Sequence, residues 1–467
     1  MRAEPQAAPY RADTPILDLA PWLGDPVQAA DFPQQTLRYR NRRWDGAVCL
    51  GDMPDAQWLR HFARFEALPG NLPQPLALRY HGHQFRTYNP ELGDGRGFTF
   101  AQLRDEQGRL LDLGTKGSGR TPWSRTADGR LTLKGAVREI LATEMLEALG
   151  VNTSKTFSVV ETGEELQRGD EPSPTRSAVL VRLSHSHIRI GTFQRLAVLQ
   201  EDDHLAALVD YCLEQLPGPP PPPDAPGAEI PAIRLFHQAV ERMADLAASW
   251  MVAGFVHGVL NTDNINITGE SFDYGPWRWL PVWNPAFTAA YFDHSGLYAF
   301  GRQPEAVHWN LAQLAIALRR LVDTPPLIAA LDRYPTLYQA AMARRFCWRL
   351  GVVQRGPAED HALIEAAEKT MRAAGTGPDA FFFTHRGGRA AQGDLAAALQ
   401  GYQPVDGAPD PFWEGSGAPS LLIDEVEAIW AAIAADDDWQ PLTHRIAAIR
   451  AMGQALGDAP PPAGHRV

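Results

Sequence analysis

The chain has only three cysteines in 467 residues, Cys49, Cys212 and Cys347, and no two of them form a CxxC pair. Neither a zinc ribbon nor a dithiol redox motif can be drawn, and an odd, low count suits a reducing compartment, so a cytoplasmic location is expected. No apolar run reaches the ~18 residues of a membrane-crossing helix. Positive charge is not in excess: 43 Lys and Arg against 55 Asp and Glu leave a net charge of −12. That argues against a generally basic nucleic-acid binder, although a local basic groove is compatible with it. Residues 1–17 lack the basic-then-apolar layout of a secretory signal and are not Arg/Ser-rich like a transit peptide. No internal repeat is visible. What remains is an ordinary globular composition, 45% hydrophobic and 21% charged, on a chain long enough to bury a substantial core.

Glycine and proline punctuate that chain unevenly. Residues 1–35 are proline-rich and weakly patterned, which suggests a segment wrapping a surface. Short apolar runs separated by glycine-rich turns then predict strands over 97–103, 110–116 and 178–182. One helix is expected among them over 137–149, where Val137, Ile140, Leu141, Met145, Leu146 and Leu149 share a face and Gly150 supplies a C-terminal cap. Pro217-Gly218 followed by Pro219 through Pro223 can be neither helix nor central strand and reads as a stiff exposed excursion. Helices are predicted over 230–253, 308–321, 327–349, 359–374 and 421–435. The expected architecture is α+β, a strand-rich first part and a mostly helical second part in two lobes with a cleft between them. Its expected divisions are an N-terminal extension (1–75), a first lobe (76–190) and a helical lobe (191–467).

Four constellations could carry chemistry. Gly93-Asp94-Gly95-Arg96-Gly97 allows close backbone approach to a ligand, with Arg96 able to pair with phosphate oxygens; alone it is equally a β-turn. Lys116 ends an apolar strand, and Glu139 follows it 23 residues later in the predicted helix. Kinase-like folds hold an ammonium on nucleotide phosphates with such a pair, and a surface lysine with an unrelated acid is the other reading. Between them Asp128-Gly129-Arg130 forms another turn with ligand potential. Arg182 and Arg189 could converge on one anion or both be solvated. His185 and His187 between them, with no flanking acid or cysteine, read as structural histidines before metal ligands.

The fourth constellation is the most informative. His257-Gly258-Val259-Leu260-Asn261-Thr262-Asp263-Asn264, then Asp273-Tyr274-Gly275, follows the kinase pattern of His-x-Asp-x-x-x-x-Asn and a later Asp-Phe-Gly triplet. Asn264 and Asp273 fall on the two metal-binding positions, oxygen donors suited to Mg²⁺ or Mn²⁺. The catalytic base position is Val259, which cannot accept a proton. Asp263 is the only acid between His257 and Asn264. Either the chain binds nucleotide without chemistry, or the chemistry has moved; an Asx-rich turn is the remaining reading.

With Tyr80-His81-Gly82-His83-Gln84-Phe85 and Lys116 through Pro122 added, these segments together resemble the selenoprotein O (YdiU) family of protein adenylyltransferases, in order over about 200 residues. The resemblance implies a protein-kinase-like fold with ATP bound end for end relative to kinases. It implies transfer of AMP to Ser, Thr or Tyr hydroxyls of proteins with release of pyrophosphate, and leaves open whether the chain modifies itself; neither nucleic acid nor membrane is expected as a partner. By motif it implies that Gly93, Gly95, Arg96, Lys116, Glu139, Asp128, Gly129, Arg182, Arg189 and Asp273 serve the nucleotide. Asp263 then matches the base, and Asn264 and Asp273 the ligands of Mg²⁺ or Mn²⁺. An inverted nucleotide needs cations where kinases have none, and Arg96, Arg182 and Arg189 are candidates. Two departures stand out. The last cysteine is Cys347, so the resemblance does not carry control by a C-terminal thiol onto this chain, and Ile190 stands before Gly191 where an aromatic is common. The competing functions are a conventional ATP-dependent kinase and a non-catalytic nucleotide-binding pseudokinase; UTP with Mn²⁺ is a variant of the first reading.

Overall fold

A computed structural model describes residues 10–169, 171–405 and 410–460. The proline-rich tail 461–467 and most of the N-terminal segment read for targeting signals lie outside the described residues. The fold mixes helices with one large antiparallel sheet, and every strand of that sheet lies between Arg11 and Ser184.

The sheet is built on four long strands. Leu110–Lys116 pairs with Thr99–Arg104 on one side and with Thr175–Ser184 on the other, and the last pairs with Lys155–Leu166. Their apolar residues alternate between two cores, as a period of two requires. Ala178 and Leu180 point to the side covered by the helix Leu133–Ala148, while Val179, Val181 and Leu183 point to a cluster with Trp58, Phe62, Phe100 and Phe157. Burial on both faces explains why these strands read as near-continuous apolar runs. The N-terminal residues do more than wrap a surface. Arg11–Ala12, Gly24–Pro26 and Thr36–Arg40 add strands to the sheet, and Asp55–Phe62 supplies the helix that seals its second face.

The helix expected over 137–149 begins earlier, at Leu133, because the hydroxyl of Thr132 accepts a hydrogen bond from the Gly135 amide at 3.1 Å and caps it. Gly150 follows its end with φ +71°, the left-handed value its capping role requires. The predicted helix 327–349 is two helices, Thr324–Leu331 and Tyr334–Leu350. Pro335 lies in the first turn of the second, where its ring and missing donor favour a start over a continuation. Pro231–Ala253 is the long buried helix of the second part, packed against Tyr334–Leu350 and ended by Gly254 at φ +69°. Among the described residues no helix is long and apolar enough to cross a membrane.

Candidate active site

Where the sheet meets the helical part, a cavity of about 360 Å³ is lined by residues from seven separate segments. The sheet delivers Lys116 at the end of its strand, and the helix Leu133–Ala148 brings Glu139 to it: Nζ and Oε2 are 2.6 Å apart, both residues buried. Of the two readings of this pair, the geometry selects the buried ion pair. Lys116 Nζ also lies 3.5 Å from Asp273 Oδ1. Burial pulls the ammonium below its ordinary value, while Glu139 and Asp273 act in the opposite direction.

Asp273 is the point on which the cations converge. Its backbone is left-handed, φ +65°, a conformation Asp tolerates better than most residues. His257 is buried just beneath it, its Nε2 3.0 Å from the carbonyl oxygen of Phe272, which holds this bend in place. Arg182 Nη2 reaches Asp273 Oδ1 at 3.5 Å and Arg189 Nη1 reaches Oδ2 at 3.4 Å. Burial opposes the charge of Asp273, but Lys116, Arg182, Arg189 and Arg96 together outweigh it and keep the carboxyl well below the usual range. Arg182 and Arg189, which could equally have been solvated, are buried and turned onto one acid.

Arg189 fixes a second acid through its backbone. Its Nη1 donates to the carbonyl oxygen of Asp263 at 2.8 Å, and its Nη2 to Asp94 Oδ1 at 3.1 Å. Asp263 belongs to the short 3-10 turn Thr262–Asn264, which is tied to the hairpin Gly82–Gln84/Thr87–Asn89. The His83 amide donates to Thr262 Oγ1 at 2.7 Å, and the Phe85 amide to Asn261 Oδ1 at 3.0 Å. Gly82 lies so close that a Cβ there would sit 3.1 Å from Asp263 Oδ1. The Asp263 carboxylate itself lines the cavity, and its buried Oδ1 has no hydrogen-bond partner. Burial raises its pKa to about 6, with Arg189 opposing and the nearby Asp273 adding to the rise. A carboxylate with a free oxygen and a value near neutrality is suited to taking up a proton.

The glycine turn forms the opposite wall. A Cβ at Gly93 would fall 2.4 Å from the Trp123 ring, and one at Gly95 2.9 Å from the Trp123 carbonyl oxygen, so only glycine admits the 121–125 segment. That segment is latched by Ser124 Oγ donating to the Gly95 carbonyl and Thr121 Oγ1 to that of Asp94. Arg96 and Arg125 line the cavity from this side.

Four residues implicated by sequence do not reach the lining, and one of them, Glu139, stands behind Lys116 as its ion-pair partner. Asp128 pairs with Arg168, Nη1 to Oδ2 at 2.8 Å, and accepts the Arg130 amide at 2.9 Å. Gly129 packs against Gly119 at φ +74°. Asn264 donates through Nδ2 to the carbonyl of Val259 at 3.1 Å. The two histidines between the arginines each face an acid: His185 lies 3.0 Å from Glu270 and His187 3.3 Å from Asp112. Sequence reasoning gave no role to Tyr80, Asp94, Trp123 or Arg125. Asp94 and Tyr80 stood inside quoted motifs, but nothing in the sequence marked Trp123 or Arg125 as cavity residues.

The donor chemistry fits a hard divalent cation only in part supplied by protein. Among the described residues no group of three or more His, Cys, Asp or Glu side chains could hold a metal alone. Asp273 is ionised and Asp263 carries an orphaned oxygen on the same cavity. Mg²⁺ is commonly held by one or two carboxylates plus substrate phosphates and water, and this set suits that pattern.

A family described as "Protein adenylyltransferase SelO" matches residues 13–397 of the chain. The protein nucleotidyltransferase YdiU of Gloeobacter violaceus is 44% identical, covering 91% of this chain and 92% of its own. That of Synechococcus elongatus is 41% identical over 93% and 94%, and that of a Synechocystis strain 40% over 90% and 94%. The chain belongs to the SelO family.

Proposed function

We propose that this SelO-family chain, a nucleotidyltransferase, transfers AMP from ATP to Ser, Thr or Tyr hydroxyls of proteins, its own included. The observation that carries the reading is the free, proton-accepting oxygen of Asp263 on a cavity lined by Arg96, Lys116, Arg125, Arg182 and Arg189. In this reading a two-lobed, kinase-like cleft binds ATP end for end, so the α-phosphorus faces Asp263. Asp263 takes the proton of the acceptor hydroxyl as its oxygen bonds to the α-phosphorus. The bond from that phosphorus to the oxygen bridging the β-phosphorus breaks, and pyrophosphate leaves. The cations around the cavity stabilise the charge that builds on the phosphate oxygens, and so supply most of what phosphoryl-type transfer requires. Lys116, held by Glu139, and Arg182 with Arg189, held by Asp273 and Asp94, are set in place before substrate arrives.

Asp273 would hold Mg²⁺ or Mn²⁺ on the phosphates, where the ion would supply charge neutralisation, and Asn264, which lies off the cavity lining with its Nδ2 bonded to Val259, would have to turn toward the cavity to join it as second ligand. Asp128 and Gly129 serve in this reading by shaping the 117–130 segment that carries Arg125. ATP labelled separately on its α- and γ-phosphates tests the proposal. Transfer of the α label to protein is expected; retention of the γ label alone would identify a conventional kinase. ATP-dependent thermal stabilisation with no label transferred would identify a nucleotide-binding pseudokinase, and the same assay with UTP and Mn²⁺ tests the nucleotide.

A further inference from the structure

Of the two histidines between Arg182 and Arg189, His185 spends its ring on Glu270 and stays off the cavity, whereas His187 lines it. No step of the proposed transfer uses His187. The strand Leu110–Lys116 explains how its ring comes to be there. Alternation puts Asp112, Gly114 and Lys116 on one face of that strand, and the paired strand sets Arg182 opposite Gly114. The absent side chain at 114 makes the room: a Cβ there would meet His187 Nε2, Cε1 and Cδ2 at 2.1, 2.5 and 2.8 Å. The imidazole thus fills the gap in the row that runs Asp112, Gly114, Lys116.

Its two nitrogens are placed differently. Nδ1 lies 3.3 Å from Asp112 Oδ2, the oxygen that also accepts the His187 amide at 3.0 Å, so one carboxylate fixes both ring and backbone and keeps a proton on Nδ1. Asp112 Oδ1 in turn accepts from Gln102 Nε2 at 2.7 Å. Both acid and histidine are buried, and His187 is the sole ion-pair partner of Asp112 among the described residues. Nε2, by contrast, is buried with no hydrogen-bond partner. An imidazole oriented by an acid through one nitrogen, with the other bare at a reaction cavity, is equipped to exchange a proton with a substrate. The arginines on the same lining hold charge but cannot give up a proton, and Lys116 is clasped by Glu139.

We propose that His187 is a second catalytic residue, the general acid for the departing pyrophosphate, with Asp112 as its positioning residue. The inference rests on the nucleotidyl-transfer reading above and completes its proton account. The acceptor oxygen bonds to the α-phosphorus as Asp263 takes its proton. The bond from that phosphorus to the bridging oxygen breaks, and the electron pair stays on that oxygen. The imidazolium of His187 gives it the Nε2 proton. After pyrophosphate leaves, His187 regains a proton from water and Asp263 releases one.

ATP analogues with the β,γ-bridging oxygen replaced by CF2 or CH2 test this, because they make the leaving group a weaker or a stronger base at nearly the same shape. Each is labelled on the α-phosphate. Single-turnover rates are read at saturating nucleotide with full-length protein, the chain itself and casein serving as acceptors. Wild type is expected to vary by less than about tenfold across the three nucleotides. His187→Asn should slow transfer from ATP about 10²-fold, with the CH2 analogue slowed most and the CF2 analogue least, while ATP affinity by calorimetry stays within about threefold. Asp112→Asn, which disturbs the tautomer and leaves the imidazole in place, should give the same ordering, and it carries the test where His187→Asn does not fold. Equal slowing with all three nucleotides would make His187 a packing or binding residue and overturn the proposal. An unchanged rate, or a rate loss matched by lost ATP affinity, would overturn it as well. Absence of α label in wild type with every nucleotide would instead remove the transfer reading itself.

Discussion

Arg182 and Arg345 are equally hidden, each 4% exposed, yet they sit in opposite circumstances. Arg345, in the helical part, grips Asp245 with Nε at 2.8 Å and with Nη2, and its Nη1 donates to the carbonyl of Gly150 at 2.8 Å. Arg182, at the cavity, reaches Asp273 only at 3.5 Å, and its Nε and Nη1 have no partner. Arg189 Nε, Glu139 Oε1 and Asp263 Oδ1 share that condition. Buried polar atoms are almost always paired, because each one left bare costs about 1–3 kcal/mol. One cluster is closed within the fold and holds it together. The other is left open by the fold: its bare arginine nitrogens lack acceptor oxygens, which phosphate groups carry, and its bare carboxylate oxygens lack a donor.

The contrast can be broken in several ways. Asp263→Asn keeps the shape of the open cluster but cannot accept a proton. Turnover should fall by about 10³ while nucleotide affinity, read by calorimetry, stays within about twofold; retained turnover would refute the base assignment. Arg345→Met opens the closed cluster and should cost about 3 kcal/mol in urea unfolding, because Asp245 loses its two-pronged partner. Arg182→Met is the matched change at the cavity. It should leave stability within about 1 kcal/mol yet weaken ATP binding about 10- to 100-fold, since its partners come from the ligand. A large stability loss there would erase the distinction.

The smallest effect is in pH. Asp263 rises from its ordinary 3.8 to about 6 on burial, so kcat should climb about tenfold between pH 5 and 7 as the carboxylate forms. Between those two values the folded chain binds the proton that the unfolded chain has released, so stability is lost as pH rises from 3.8 to 6. Above pH 6 the Asn variant should therefore be the more stable protein, by about 1–2 kcal/mol in thermal unfolding.

The two clusters also differ in how far they could be read from sequence. Lys116, Glu139, Asp263 and Asp273 were legible because their spacing follows a chemical pattern that one-dimensional inspection detects. Arg345 and Asp245 were not, as nothing local to either links two residues a hundred positions apart. In the fold, the strand 110–116 and the helix 230–253 were legible from apolar run and periodicity. The strands at 24–26 and 36–40 were missed because three and five residues with at most one of them buried leave no pattern. The helices Ile190–Leu199 and Asp202–Gln215 were missed as well. Gly191 lies in the first turn of the former, a residue that argues against helix locally but is required by contact: a Cβ there would meet the carbonyl oxygen of His81 at 2.1 Å. Trp123 and Arg125 were invisible for a related reason, since their place depends on which glycine they lie against.

The clearance at Gly82 has a consequence of its own. A single added methyl there would lean on the Asp263 oxygen, Leu92 and Thr262 together, each at 3.1 Å, without altering any charge. Position 82 thus behaves as a set-screw on the carboxylate: the bulk placed at it meters how freely that oxygen can swing, and a graded series of enzymes of differing speed could be made by adjusting one residue that does not itself line the cavity.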